Sequence, residues 1–127
     1  MIMKTFYEPV EPSRAGIEKT KGPLVLEFGT PWCGYCRALQ PALKSVLSDR
    51  PELPHLKVED GPGCPLGRSF MVTLWPTLVL LHDGHEVARA VRPETPSQLE
   101  RAFDKLESVM SRRSHGASPP TVGLAAR

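Results

Sequence analysis

Two cysteines one helical turn apart, Cys33 and Cys36, are the residues of this chain best spaced for chemistry; the third cysteine, Cys64, stands alone. Three cysteines are too few and too oddly counted for a disulfide-stapled scaffold, so the C-x-x-C spacing points to redox or metal chemistry. Sulfur attacks as thiolate, and an ordinary thiol with a pKa of ~8.5 supplies little of it at neutral pH. A cysteine that opens a helix faces unpaired backbone N–H groups, which favour the anion. Cys33 is predicted at such a helix start, which makes it the attacking sulfur. Cys36, one turn later and deeper, then resolves the mixed disulfide. The rival chemistry is a zinc site of three cysteines and a histidine, from Cys33, Cys36, Cys64 and His55. Structural zinc sites pair two ligand clusters, whereas Cys64 and His55 each stand alone, so no metal is expected. Cys64 sits in Gly61-Pro62-Gly63-Cys64-Pro65, a loop that argues for exposure, although a free cysteine usually behaves as a small buried hydrophobe.

The dithiol needs a strand to deliver it and a helix that starts at it. Leu24 to Phe28 reads as that strand, apolar on both faces apart from Glu27, as in sheets covered by helices. An acid inside such a strand is costly to bury without a use, which marks Glu27 as a candidate functional residue. From Cys33 to Ser48 the pattern turns helical, with Leu39, Ala42, Leu43, Val46 and Leu47 in one stripe and Pro41 inside, expected to kink it. Ahead of these, Ser13 caps a short helix reaching about Lys19. Beyond them come a strand over His55 to Glu59 and a short helix over Leu66 to Val72. Strands over Thr77 to His82 and Glu86 to Val91 are joined by His82-Asp83-Gly84-His85, a strong hairpin signal. Thr95, Pro96 and Gln98 open a last helix whose buried stripe is Leu99, Ala102, Phe103, Leu106, Val109 and Met110. The order α-β-α-β-α-β-β-α predicts an α/β domain over residues 1–110. Its central sheet is mixed, a βαβ half followed by a ββα half, with helices on both faces. Residues 111–127 are small, polar and aperiodic and read as a disordered tail.

Composition narrows the function. With 127 residues, 40% of them hydrophobic, the chain suits one domain with one core. Its longest apolar run, Leu78 to Leu81, falls far short of the ~20 residues of a spanning helix. Met1 to Glu8 lacks the apolar centre of a signal peptide, so a soluble, cytoplasmic protein is expected, without membrane partners. The net charge of +2 comes from the C-terminal end: Arg112, Arg113 and Arg127 lie beyond Met110, leaving 13 basic groups against all 14 acids in residues 1–110. No clustered basic face supports nucleic-acid binding.

From Gly22 to Met110 the chain resembles the thioredoxin family. The likeness rests on Trp32-Cys33-Gly34-x-Cys36, the proline Pro41, the segment Trp75-Pro76-Thr77, the Asp83-Gly84 hairpin and the amphipathic last helix. It implies the thioredoxin fold and a monomeric thiol–disulfide oxidoreductase acting on disulfide-containing proteins. Such an enzyme needs no cofactor and takes its electrons from a reductase or another thiol donor. It implies that Pro76 is cis and lies beside the dithiol, leaving the backbone of Trp75 to pair with an extended substrate segment. It also puts Glu27 at the family's buried acid beneath the second cysteine, where it would take the proton of Cys36 through water, with Lys57 as the partner lysine.

Three departures bear on function. Gly34-Tyr35 replaces the Gly-Pro of thioredoxins proper, and Cys-Gly-Tyr-Cys resembles periplasmic disulfide isomerases, which implies a less reducing couple. Trp75 replaces a small aliphatic residue, and Arg92, followed by Pro93, replaces a docking glycine. Trp32, Gly34, Tyr35, Trp75, Pro76 and Arg92 thus outline a narrowed substrate groove, Trp32 combining packing with surface contact. The expected activity is reduction of protein disulfides through Cys33 and Cys36. The alternatives are a disulfide isomerase or oxidant, and a binding module of the same fold whose dithiol is incidental.

Overall fold

The apolar run after Gly22 becomes β1 (Pro23–Gly29), the strand that every other layer is built on. The computed structural model describes residues 3–116. β1 pairs in parallel with β2 (His55–Glu59) and antiparallel with β3 (Thr77–His82), and β3 pairs antiparallel with β4 (His85–Val91). The sheet order is therefore β2-β1-β3-β4, a thioredoxin fold with β1 and β3 at its centre. β1 is apolar on both sides because both sides are covered. Val25 packs with Leu39 and Leu43 of α2 (Gly34–Ser48) and with Leu99, Phe103 and Leu106 of α4 (Pro96–Gly116). Its neighbours Leu24, Leu26 and Phe28 face the other way, onto Ile17 of α1 (Arg14–Glu18) and Leu66 of α3 (Pro65–Ser69). Side chains alternate along a strand, so Glu27 falls on the α2 side, beneath the helix that carries the dithiol.

Local signals set the element ends. Ser13 accepts a hydrogen bond from the Gly16 N–H at 2.9 Å and caps α1. Asp83 and Gly84, with φ of 51° and 80°, form the two-residue turn whose twist suits a hairpin. That turn is pinned to the start of β1, because the Gly22 N–H donates to Asp83 Oδ1 at 2.8 Å and the Asp83 N–H to the Gly22 carbonyl at 3.0 Å. The C-terminal end of α2 is tied to α4 by Arg50. Its guanidinium reaches the Val46 carbonyl, Glu100 and Glu107 at 2.9, 2.7 and 3.1 Å.

Two expectations need correction. The helix expected over Leu66 to Val72 is shorter and earlier, Pro65–Ser69. Met71 turns to φ 60° and the Val72 N–H reaches back to the Gly67 carbonyl, which ends the helix. The last helix does not stop near Met110 but continues to Gly116, so residues 111–116, expected in a disordered tail, are helical. Residues 111–115 hold no helix breaker, since Ser, Arg and His are all tolerated, and the first poor helix former is Gly116 at the end. Residues 117–127 of the expected tail lie outside the described residues. Among those described, no helix is long and apolar enough to cross a membrane.

Candidate active site

The strand-to-helix turn puts the two sulfurs where their types predict. Cys33 is the N-cap of α2, extended at φ −76° and ψ 118°, and its Sγ accepts the Cys36 N–H at 3.2 Å. The cap position that Ser or Asp would normally occupy is thus held by a sulfur, aimed at by a backbone donor. Cys36 lies deeper, 2% exposed against 7% for Cys33, and both are free thiols. The close seating of Cys36 depends on Gly29 at the end of β1. A Cβ there would collide with Cys36 Sγ and come within 3.2 Å of the Tyr7 hydroxyl. Burial pushes the Cys36 thiol up to about 12, helped by its hydrogen bond with Cys33 and by the charges of Cys33 and Glu27, against a lowering contribution from the Thr30 backbone. Cys36 therefore keeps its proton at neutral pH and needs a base before it can attack. The Tyr7 phenol is pushed the same way by burial and by the charges around Cys36 and Glu27, and it shares a hydrogen bond with Cys36.

Beneath Cys36 sits the candidate base. Glu27 is 1% exposed, a burial that only partners make tolerable. His55 Nε2 lies 2.8 Å from its Oε1, Gln40 Nε2 donates to Oε2 at 2.8 Å, and Lys57 Nζ stands 3.7 Å from Oε2. Gln40 also donates to the Cys36 carbonyl at 2.9 Å, which links the acid to the backbone of Cys36. The tautomer of His55 follows from its other nitrogen. The Lys4 N–H, which can only donate, bonds Nδ1 at 2.9 Å, so the ring proton is on Nε2 and points at Glu27. A groove of about 1270 Å³ opens behind these residues, lined among others by Thr5, Tyr7, Cys36, Gln40, Lys44 and Lys57. Its wall is mostly apolar, but it is roomy enough to admit water, and Tyr7, Gln40 and Lys57 give that water polar partners on this side of the dithiol.

In front of Cys33 the rim is aromatic. Trp32 and Tyr35 are exposed, and Trp32 meets Trp75 edge to face at 5.6 Å. The Trp75 indole N–H donates to Asp60 at 2.8 Å, and the Trp75–Pro76 peptide bond is cis. Arg92 Nε donates to the Trp75 carbonyl at 2.9 Å while its guanidinium lies 4.2 Å over the Tyr35 ring. Gly34, the first residue of α2, has open space where a Cβ would be.

All ten residues singled out in the sequence thus gather around the start of α2, in two groups. Glu27 and Lys57 lie behind the Cys33–Cys36 dithiol, and Trp32, Gly34, Tyr35, Trp75, Pro76 and Arg92 form the rim before it. The Glu27–Lys57 pair is looser than its register suggests, because Gln40 and His55 make the shorter contacts. His55, the fourth ligand of the rival zinc reading, spends both ring nitrogens on Lys4 and Glu27 and is not available to a metal with Cys64. Cys64 starts α3, where desolvation and the charges of Glu11, Glu59 and Asp60 push its thiol up. Sequence reasoning missed Tyr7, Gln40 and Asp60, and it singled out His55 only as a ligand of the rival zinc site, not as a partner of Glu27. Gln40 was the one within reach, since it lies four residues after Cys36 and thus on the same helix face. The others arrive from distant segments with no local pattern to mark them.

Comparison with known proteins bears on the family and the fold. The thioredoxin family model matches residues 11–105. The structure of thioredoxin 2 from Pseudomonas aeruginosa PAO1 in its reduced form is 57% identical, with a TM-score of 0.76 over 84% of this chain and 99% of that one. Thioredoxin from Chlamydia trachomatis serovar D is 31% identical over 84 residues, covering 66% of this chain and 82% of the relative. Protein disulfide-isomerase A2 from Pongo abelii is 41% identical over 66 residues, which is 49% of this chain and 13% of that protein.

Proposed function

The chain belongs to the thioredoxin family, and from that premise we propose that this thiol–disulfide oxidoreductase works as a reductase of protein disulfides, through Cys33 and Cys36. The observation that carries the reading is the placement of Cys33 Sγ on the Cys36 N–H at the start of α2, above a deeper and protonated Cys36. The Cys33 thiolate attacks one sulfur of the substrate disulfide, forming a mixed disulfide and releasing the other substrate sulfur as a thiolate. Cys36 then gives its proton to Glu27 through water from the rear groove and attacks Cys33 Sγ. The Cys33–substrate bond breaks, the second substrate thiolate leaves, and a Cys33–Cys36 disulfide remains. Two electrons have passed from the dithiol to the substrate. A reductase or another thiol donor returns them, and the protein acts as a cytoplasmic monomer.

The test is reduction of a model protein disulfide by dithiothreitol, with the protein in catalytic amount. Wild type should accelerate the reaction and Cys33→Ser should abolish the acceleration, while Cys36→Ser should accumulate mixed disulfides. Equal rates for wild type and Cys33→Ser would favour the binding module. The isomerase or oxidant reading is favoured by Gly34-Tyr35 in place of Gly-Pro. Equilibration in glutathione buffers separates the directions: a midpoint near ~−270 mV supports a reductase, and one near ~−180 mV supports isomerase work.

A further inference from the structure

Arg92 is held where a mobile side chain would not need to be. It adopts φ 44°, a region that a residue with a Cβ enters at a cost. Its backbone N–H donates to the Pro76 carbonyl at 2.7 Å, its Nε donates to the Trp75 carbonyl at 2.9 Å, and its guanidinium lies 4.2 Å over the Tyr35 ring. The guanidinium thus stands between Tyr35, which separates the two cysteines, and Trp75, which leans on Trp32 beside Cys33. It is fixed at the mouth of the site rather than free at the surface.

What it lacks is an anion. Among the described residues no carboxylate pairs with Arg92, as none pairs with Arg37, Arg68 or Arg101. Arg92 alone of these is anchored at the mouth of the site, by Trp75 and Tyr35, and its Nη1 and Nη2 groups find no acceptor among the described residues. A guanidinium offers five N–H donors in a rigid planar fork. Trp75 takes the one on Nε, and Tyr35 takes a face, so the end of the fork remains for a ligand. That end matches a carboxylate, which accepts two parallel hydrogen bonds.

We propose that Arg92 recognises a substrate carboxylate, and that the protein therefore prefers disulfides whose reacting cysteine is flanked by aspartate or glutamate. The inference rests on the proposed reductase activity. Binding the carboxylate leaves the Cys33 chemistry unchanged and acts on substrate affinity, which belongs in KM more than in kcat.

The experiment uses two disulfide peptides that differ only in Asp or Asn beside the reacting cysteine, with dithiothreitol as electron donor. Wild type should turn over the Asp peptide with a kcat/KM about tenfold higher, the scale of one charge-assisted hydrogen-bonded pair at a partly exposed site. The ratio should shrink as salt is added, because such a pair is screened. It should fall to about one in Arg92→Met and in Arg92→Gly, the latter being at ease with the positive φ. Arg92→Lys should keep part of it, with charge but no fork. Equal kcat/KM for the two peptides with wild type overturns the proposal, as does a ratio that survives in both Arg92→Met and Arg92→Gly. A rise for both peptides alike in these variants, with no wild-type preference, makes Arg92 only a latch on the Trp75 carbonyl and also overturns it. Absence of Cys33-dependent turnover with either peptide defeats the reductase reading itself, an outcome distinct from turnover without preference.

Discussion

At the scale of single residues, the centre of the proposed mechanism is a carboxylate surrounded by donors. His55, Gln40 and Lys57 all present N–H groups to Glu27, and Gln40 connects it to the resolving cysteine. Glu27→Gln keeps the shape but presents an amide N–H₂ where these donors need an acceptor. General-base assistance is worth ~10²–10⁴-fold, with water able to recover part. Resolution of the mixed disulfide should therefore slow at least about tenfold, while the first attack by Cys33 stays nearly unchanged. Stability should drop by about 1–3 kcal/mol, the cost of unsatisfied buried polar groups. His55→Leu should weaken the same step, because it removes the group that orients Oε1 and strands the Lys4 N–H. Stopped-flow kinetics that separate attack from resolution, with a urea melt, check both. A loss of stability with resolution at the wild-type rate would make the cluster purely structural.

At the scale of elements, the decisive contact is the approach of α2 to the end of β1. No side chain fits between them at Gly29, where Cys36 Sγ and the Tyr7 hydroxyl converge. Gly29→Ala must push the first turn of α2 off the strand or turn Cys36 away from Cys33. Overpacking of this kind costs about 1–3 kcal/mol, and turnover should fall further than stability alone explains, because the sulfur geometry is displaced. The measurement is the rate of Cys33–Cys36 disulfide formation beside the urea midpoint. Gly34→Ala, one residue inside the same helix but with open space at its Cβ position, should leave stability equal or higher, since alanine is the better helix former.

At the scale of the whole molecule, a buried thiol and a half-buried phenol couple stability to pH. The Cys36 thiol is raised by burial from 9.0 to about 12, and Tyr7 is raised in the same direction by its own burial. A group that holds its proton more tightly when folded contributes its full stability below its unfolded pKa and loses it as pH rises through the folded value. The reduced protein should therefore lose stability progressively across the interval from 9.0 to about 12. In the disulfide form Cys36 has no proton to release, so its decline should be shallower and set by Tyr7 and the surface. Urea midpoints of the two redox forms, compared at stepped pH, test this; parallel declines would deny Cys36 its share.

The sequence by itself determined the element order and the dithiol. Hydrophobic period, the Ser13 and Thr95 caps, the Asp83-Gly84 turn and the Cys33–Cys36 spacing are all local, and local sterics and hydrogen bonding act the same way wherever the chain later packs. Element ends that depend on neighbours were less legible: α3 stops early at a backbone turn over Met71, and α4 runs past Met110 to Gly116 because no breaker comes earlier. Glu27 stood out in the sequence as an acid in an apolar strand, but its partners did not. Parallel pairing brings His55 and Lys57 beside β1, and the N-terminal segment crosses back to set Tyr7 on Cys36 and the Lys4 N–H on His55. Arg92 was visible as a bulky charge in the groove, yet only tertiary structure decided that Trp75 and Tyr35 hold it there with the end of its fork unspent. Such contacts join residues dozens of positions apart. They follow from how the sheet closes and what packs over it, and no single stretch of chain carries that information.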